Sequence, residues 1–201
     1  MSDKQPCRLC GHLILPTTAA RNEGMCMPCK GGYREGIEDG KRRAEDHKRY
    51  IASPQALYWH ALVNRVHNTA EGFSGLALAE QHYYAVSLLE GEIYNGGFDQ
   101  YFGNSSGEHC TEACAGLLAL GATQTLALVE EARRLLFGTQ PVPNDQGLRQ
   151  LSMPTYDDPP DLACIAALDS LDTQFYLDTE QLDERLLQYA REHRLFDMET
   201  D

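Results

Sequence analysis

Four cysteines near the N-terminus have the spacing of a metal site. They form two pairs, Cys7-Arg-Leu-Cys10 and Cys26-Met-Pro-Cys29, with fifteen residues between the pairs. Each C-x-x-C pair can hold two thiolates on one ion from a tight turn, and fifteen residues suffice for a hairpin that brings the pairs together. Four thiolates complete the tetrahedral coordination of Zn²⁺ and leave no open position for a substrate. The pattern therefore predicts one structural zinc ion bound by Cys7, Cys10, Cys26 and Cys29.

The other cysteines and a nearby histidine are alternatives to be weighed against this site. A thioredoxin-like redox site needs one C-x-x-C at a strand–helix junction, whereas two are present. His12 is a possible ligand by residue type, but four cysteines already fill the coordination sphere, so we expect it outside the ligand set. Cys110 and Cys114 lack a matching second half of a metal site, and Cys164 stands alone. We expect these three to be buried free thiols.

A polar group farther along the chain is the one candidate for acid–base chemistry. Glu92 falls on an apolar helix face near Asn95 and Gln100. A buried carboxylate needs hydrogen-bond partners, and we expect free N–H groups of a short helix after Gly97 to supply them, since a helix N-terminus favours an anion. The sequence favours a structural polar cluster, with a catalytic site as the alternative. No H-E-x-x-H motif, P-loop, dinucleotide fingerprint or G-x-S-x-G elbow is present.

The elements that position these residues follow a helical period after Ser53. Ser53-Pro54 predicts a helix start, Asn95-Gly96-Gly97 a helix end, and Asp178 with Gln181 a capping box. The predicted helices begin at Pro54 and run over about 76–94, 108–120, 123–137 and 148–151, with one more from Leu162. A last helix is predicted after the capping box at Asp178, lined by Leu182, Leu186, Tyr189 and Ala190. No segment of this part alternates over strand length. We therefore predict an all-α, bundle-like multi-helix domain behind a small four-cysteine zinc ribbon or knuckle.

Composition shifts suggest three parts. They are a zinc-binding module over residues 1–32, a polar linker or helix over 33–53, and an acidic all-α domain over 54–201. In the linker, Gly36 and Gly40 are expected to break the first half, and residues 41–51 to form a solvated helix. The run Lys41-Arg42-Arg43 can contact phosphate, but its acidic neighbours favour a solvated face.

The formal net charge of the 201 residues is −13, from 17 Lys+Arg and 30 Asp+Glu. Residues 1–52 carry ten basic and seven acidic residues, a net +3, and residues 53–201 carry seven basic and 23 acidic residues, a net −16. Such an excess of acid repels phosphates, so we expect no direct nucleic-acid binding through the acidic domain. No apolar run approaches the roughly 20 residues of a membrane span. The N-terminus shows no export signal, which predicts a cytoplasmic protein without a membrane partner.

The C-terminal third is the most acidic part and the predicted partner-binding face. The carboxylates assigned to this face are Asp157, Asp158, Asp161, Asp169, Asp172, Glu180, Asp183 and Glu184. Fixed carboxylates spaced like phosphates attract a basic protein surface by the electrostatics that attract DNA itself. The alternative is a soluble acidic surface with no partner.

Two segments resemble a known family. They are EGEIYNGGFDQYFGNSSG (90–107) followed by ALGA (119–122), and the tail LDSLDTQFYLDTEQLDERLLQYAREH (168–193). They are similar to a bacterial family of helical domains that includes the neisserial DNA-mimic protein. The signature residues in this sequence are Glu92, Asn95, Gly96, Gly97, Phe98, Gln100, Tyr101, Phe102, Asn104 and Ser105. The resemblance spans about 55–197 and does not include the zinc module.

The resemblance implies an all-α fold without known enzymatic activity. It also implies a surface that imitates the phosphate array of a duplex, a homodimer, and a DNA-binding regulator as partner. The first hypothesis is therefore an acidic protein-binding module that acts as a DNA mimic. The alternatives are an immunity or antitoxin-like protein that neutralises a basic toxin, and an enzyme of unknown type with a site near Glu92, Asn95 and Gln100.

Overall fold

The computed structural model describes residues 3–157 and 159–197. The chain divides into two compact units, Met1–Ala56 and Leu57–Asp201, called here the head and the body. Almost all regular structure is helical, which confirms the all-α prediction. One small antiparallel sheet in the head, formed by β1 (Gln5–Pro6) and β2 (Leu13–Ile14), is the exception among the described residues.

The head places its helices around the cysteine pairs. Its α-helices are α1 (Pro16–Arg21), α2 (Met27–Lys30) and α3 (Arg34–Ile51). The first cysteine pair lies in the connection between β1 and β2, and the second lies at the start of α2. A small apolar cluster is buried here, made of Cys7, Ile14, Ala19, Met25 and Cys26. Five small or medium side chains are a thin core, so the expected dependence on a metal agrees with this packing.

Helix α3 begins earlier than predicted and continues through both glycines of the linker. Ion pairs at i,i+3 and i,i+4 bridge the glycine positions: Arg34 and Lys41 contact Glu38, and Arg42 contacts Asp39. Such pairs stabilise a helix by a few tenths of a kcal/mol each, which offsets part of the cost of glycine. Residues 41–51 are exposed, as expected for a solvated helix.

The body consists of seven α-helices in its described residues. They are α4 (Pro54–Asn68, which starts in the head), α5 (Leu78–Gly103), α6 (Cys110–Ala119), α7 (Thr123–Phe137), α8 (Gln146–Gln150), α9 (Pro159–Tyr176) and α10 (Leu182–Glu192). Short 3-10 turns cover Gly72–Gly75 and Ser105–His109. Helix α5 packs against α6, α8, α9 and α10 and is the central helix. The predicted start of α4 is confirmed, because the amide of Ala56 donates to Ser53 Oγ at 3.2 Å.

The glycines after Asn95 kink α5 instead of ending it. Gly96 has φ −164° and Gly97 has φ 85°, and helical geometry then resumes from Phe98 to Gly103. The resumed segment is capped from outside, because the amide of Phe98 donates to Asp172 Oδ1 on α9 at 2.9 Å. That cap comes from a residue 74 positions away, which is why local sequence signals predicted a simple stop.

The predicted capping box before the last helix is wrong. Asp178 and Gln181 both have positive φ, at 41° and 52°. Asp178 Oδ1 accepts from the amide of Leu182 at 2.9 Å, while the Gln181 side chain reaches Glu184 instead of returning to Asp178. The left-handed turn at these positions moves the helix start to Leu182. The apolar face predicted for this helix, Leu182, Leu186, Tyr189 and Ala190, is buried.

Candidate metal centre and acidic surface

The four predicted cysteine ligands come together in the head. Cys7 and Cys10 lie on the connection between β1 and β2, where Gly11 adopts φ 73° and its amide donates to the carbonyl of Cys7 at 2.8 Å. Cys26 precedes α2 and Cys29 lies within it. The four Sγ atoms all lie within 4.8 Å of one another. The tight turn at Gly11 needs the left-handed backbone conformation that glycine adopts without strain.

The sulfur geometry fits a tetrahedral ion. Cys10 Sγ and Cys26 Sγ are 3.7 Å apart. With Zn–S bonds near ~2.3 Å, a regular tetrahedron has sulfur–sulfur edges of about 3.8 Å. A disulfide would need sulfurs about 2 Å apart, and all four cysteines are free thiols here. The arrangement suits a closed four-thiolate metal site, and the exposed His12 lies outside the cysteine cluster.

Donors around Cys7 and Cys26 favour the ionised form of these two sulfurs, whereas burial raises the pKa of Cys29 to about 12. The amides of Cys10 and Cys26 lower the pKa of Cys7 to about 6, and the amide of Cys26 lies 3.2 Å from Cys7 Sγ. Burial opposes ionisation of Cys26, but the guanidinium of Arg34, 3.0 Å from its Sγ, contributes to a net lowering of its pKa. A metal ion binds thiolates and not thiols, so Arg34 and these amides prepare the site for a cation.

The polar cluster on α5 differs in one member from the expected one. Glu92 Oε2 accepts from Gln100 Nε2 at 2.7 Å and from Asn104 Nδ2 at 2.9 Å. Asn95 is exposed instead, and the amide of Phe98 that was expected to reach Glu92 binds Asp172. The cluster therefore bridges the kink of α5, joining the helix before the glycines to its last turn.

The aromatic residues of the signature form the core. Phe98, Tyr101 and Phe102 are fully buried. Gly97 is also buried, whereas Gly96 and Ser105 are exposed. The three aromatic side chains therefore hold the fold together and offer no surface to a ligand.

Arg149 is a structural residue that the sequence reasoning missed. Its side chain is fully buried, yet its guanidinium contacts backbone carbonyls and no carboxylate of the described residues. Its nitrogens donate to the carbonyls of Phe102, Pro143, Asn144, Asn104 and Ser105 at 2.6 to 3.4 Å. It ties the end of α5 to the loop before α8. A lone arginine in a polar, loop-flanked stretch carries no local sign of burial.

The remaining cysteines lie apart from the metal centre. Cys110 is buried, and Cys114 and Cys164 are half-buried and pack against the core. The sequence predicts burial of all three cysteines, and of the three only Cys110 is fully buried. A hydrogen bond with Cys114, together with burial, raises the pKa of Cys110 well above its usual value. His109, beside them, packs its ring against Phe73 at 4.1 Å between centroids.

The predicted acidic face separates into two groups. Asp157, Asp169, Asp183 and Glu184 are exposed. Three others bind donors of the chain: Asp161 accepts from the amide of Thr155 at 2.7 Å, Asp172 from that of Phe98, and Glu180 from that of Thr125 at 2.8 Å. Thr125 lies in the first turn of α7, so Glu180 caps that helix. Asp158 lies outside the described residues.

The exposed carboxylates at the C-terminal end are not neutralised by ion pairs. Arginine ion pairs of the body join Arg65 to Glu80, Arg133 to Glu130 and Arg134 to Glu131, all before residue 135. No arginine ion pair is found among residues 135–157 and 159–197. Arg149 and Arg185 instead donate to backbone carbonyls, Arg185 to those of Glu180 and Leu120. The exposed carboxylates of α9 and α10 therefore have no neutralising ion pair among the described residues.

No helix in the described part of the chain is both long and apolar enough to span a bilayer.

Comparison with known proteins gives one family and one curated relative. The profile of the DMP19-like protein family matches residues 74–193. The chain is similar to the uncharacterized protein YpfL of Salmonella typhimurium (strain LT2), with 48% identity over 46 residues. That match covers 21% of this chain and only 11% of the relative. No solved structure matches the chain significantly.

Proposed function

The chain belongs to the DMP19-like family, a family of DNA-mimic proteins, and we propose that its body is an acidic protein-binding module. In this proposal the body occupies the basic DNA-binding surface of a bacterial regulator. The partner is thus a protein and not a nucleic acid. The DMP19-like family is not a known enzyme family, and the two hydrogen bonds that Glu92 accepts from amide side chains favour a structural role for its cluster.

The observation that supports this proposal most directly is the absence of ion pairs around the exposed acids of α9 and α10, within the described residues. A carboxylate paired with arginine presents a dipole, whereas an unpaired one presents a full negative charge. Asp169, Asp183 and Glu184 are exposed and unpaired in this sense. Such charges on rigid helices imitate a phosphate backbone electrostatically and steer a basic surface toward the body.

The head has a separate place in the proposal. We propose that Cys7, Cys10, Cys26 and Cys29 bind one structural Zn²⁺, because four thiolates at these separations suit zinc and leave no position open for a substrate. We also propose that the protein resides in the cytoplasm, where thiols stay reduced. It is further proposed to form a homodimer.

Competition with DNA tests the proposed function. Proteins from the source bacterium that are retained on duplex DNA-cellulose are challenged at low salt with the full-length protein. We expect it to release basic DNA-binding proteins and to do so less as salt increases, because salt screens the charges. Mass spectrometry identifies the released proteins and separates a regulator from a basic toxin, the second predicted class of partner.

A matched pair of charge variants completes this experiment. The double variant Asp183→Asn, Glu184→Gln removes two exposed and unpaired charges, and we expect a several-fold loss of release. The control Glu130→Gln, Glu131→Gln makes the same change in net charge at acids that are paired with Arg133 and Arg134. Equal loss in both variants, or release of only neutral and acidic proteins, contradicts the proposal.

A further inference from the structure

Two tyrosines form an exposed aromatic surface between α5 and α9. The rings of Tyr94 and Tyr176 stack with centroids 5.8 Å apart and an angle of 20° between planes. Their side chains are 48% and 47% exposed, and the adjacent Leu177 is 70% exposed. Neighbouring exposed apolar side chains of this kind can mark an interaction site. We call these three residues the tyrosine platform.

Contacts with neighbouring residues of α5 and α9 hold the tyrosine platform in place. Tyr176 donates its hydroxyl hydrogen to the carbonyl of Ile93 at 3.1 Å. Tyr94 meets the buried Phe175 edge-on, at 5.4 Å between centroids. Both rings are therefore fixed before any partner arrives, and preorganised aromatic side chains lose little entropy on binding.

Carboxylates flank the tyrosine platform on both sides. Asp169, Asp172 and Tyr176 follow one another at i, i+3 and i+7 and thus share a face of α9, while Glu90 and Tyr94 share a face of α5 at i,i+4. Burial, aided by Asp172, Asp99 and Asp169, raises the pKa of Tyr176. Burial, aided by Asp178, Glu90 and Asp183, raises the pKa of Tyr94. Each ring therefore lies close to three carboxyl groups.

We propose that the tyrosine platform is the centre of the body's docking surface and that it receives arginine side chains of the basic partner. This inference deepens the proposed function and rests on it. Arginine combines a planar face that stacks on tyrosine with a fork of donors that binds carboxylates. Aromatic centres with a charged rim are typical of the residues that dominate binding energy at interfaces. Phosphate mimicry alone explains the flanking acids but not the exposed rings.

Charge complementarity selects this partner over others. A second copy of the body would bring like charges together on both flanks, and an anionic membrane or nucleic acid would be repelled by the same acids. A basic protein surface can stack on the rings and bind the carboxylates at the same time. Arginine is favoured over lysine, since the ammonium group is a compact, strongly hydrated charge with no face to stack.

A pair of synthetic peptides tests the tyrosine platform without a known partner. One short helical peptide presents arginines along one face, and the other has lysine at the same positions. Binding to the full-length, zinc-loaded protein is measured by fluorescence anisotropy at low salt, and the contacted amides are mapped by NMR shifts. We expect the arginine peptide to bind roughly fivefold tighter, with the largest shifts at Tyr94, Tyr176 and Leu177.

The variants Tyr94→Leu and Leu177→Ser then test which side chains produce the preference for the arginine peptide. Tyr94→Leu keeps apolar volume over Phe175 but removes the π face, and Leu177→Ser changes a side chain that is mostly in solvent. We expect Tyr94→Leu to abolish the preference for arginine and Leu177→Ser to weaken both peptides. The control Tyr156→Leu alters another exposed tyrosine, which has no stacked partner among the described residues, and retains the preference. Thermal unfolding checks that each variant is folded.

The outcomes separate this inference from the proposed function. Equal binding of the two peptides, or shifts spread evenly over the acidic side chains, overturns the docking role of the tyrosine platform even if the protein still displaces DNA. An arginine preference that depends on Tyr94, in a protein that releases no DNA-binding protein from DNA, supports the surface and overturns the DNA-mimic function. A preference for arginine that survives Tyr94→Leu also overturns the inference.

Discussion

At the scale of single residues, the surroundings of each carboxylate decide what it does. Asp172 and Glu180 cap distant helices, and Glu92 is held by two amide side chains. Asp169 and Asp183 make no ion pair with the described residues and remain exposed. Identical groups thus serve the fold at some positions and present charge at others. The count of acids in a segment overstates the charge that a partner meets.

Glu90 predicts a pH dependence of stability. Burial raises its pKa to about 7, aided by the nearby charges of Asp183 and Asp178. The folded state thus prefers the protonated form. Below pH ~4.5 the group is protonated in both states and costs nothing, and as the pH rises through about 7 the folded state loses up to about 3 kcal/mol relative to the unfolded one. Glu90→Gln removes this penalty.

Urea denaturation at pH 5 and pH 8 measures the effect. We expect Glu90→Gln to raise the free energy of unfolding at pH 8 and to change it little at pH 5. The control is Glu71→Gln, which replaces a glutamate by glutamine at an exposed position. Equal stabilisation by Glu90→Gln at the two pH values contradicts the assignment.

At the scale of elements, the kink of α5 is the feature on which the body depends. Gly97 combines φ 85° with a close approach to α9: a Cβ atom there would overlap the carboxylate of Asp172. The same carboxylate caps the resumed helix at Phe98. Backbone conformation, helix capping and the α5–α9 contact therefore meet at one glycine, and that contact also brings Tyr94 to Tyr176.

Substitution of Gly97 tests this dependence. Gly97→Ala forces a positive φ on a residue with a Cβ and displaces Asp172, so we expect a loss of at least about 2 kcal/mol in the free energy of unfolding. Gly91→Ala is the matched control on the same helix. Gly91 is exposed, and a Cβ atom added there would meet nothing within 4 Å, so alanine is expected to stabilise by up to about 1 kcal/mol. Equal effects of the two substitutions contradict the proposed role of the kink.

At the scale of the whole molecule, the two units differ in the size of their buried cores. The body buries a large aromatic and aliphatic core around α5, whereas the head buries five small or medium residues, two of them cysteines. A structural zinc ion contributes roughly 10–16 kcal/mol to the folding of such small modules. The charges differ as well, since the basic excess lies in the first 52 residues and the acidic excess beyond them.

Removal of the metal is therefore expected to unfold only the head. In hydrogen exchange, a zinc chelator should abolish protection of the amides in β1, β2, α1 and α2 and leave that of α5–α10 unchanged. Native mass spectrometry of the untreated protein should show one zinc ion per chain. Re-addition of zinc restores protection, and Cys26→Ser prevents this recovery. Retained protection in the head after complete metal removal, or loss of protection in both units together, contradicts this expectation.

Features that depend on local spacing can be predicted from the amino-acid sequence. Two C-x-x-C pairs placed four thiols at one site, and the 3.6-residue period located α5, α7 and α10 and their apolar faces. The signature around Gly97 identified the family because it is contiguous in the chain.

Contacts between side chains that are far apart in the sequence depend instead on how the helices of the body pack. Asp172 reaches Phe98 over 74 positions, Glu180 reaches Thr125 over 55, and Tyr94 stacks on Tyr176 from another helix. Burial of Arg149 among five carbonyls is of the same kind. Helical periodicity and capping signals act over a few residues, whereas these contacts depend on how helices far apart in sequence pack around α5. For that reason the acidic charge could be read from the sequence, but the carboxylates left free to act, and the tyrosines between them, could not.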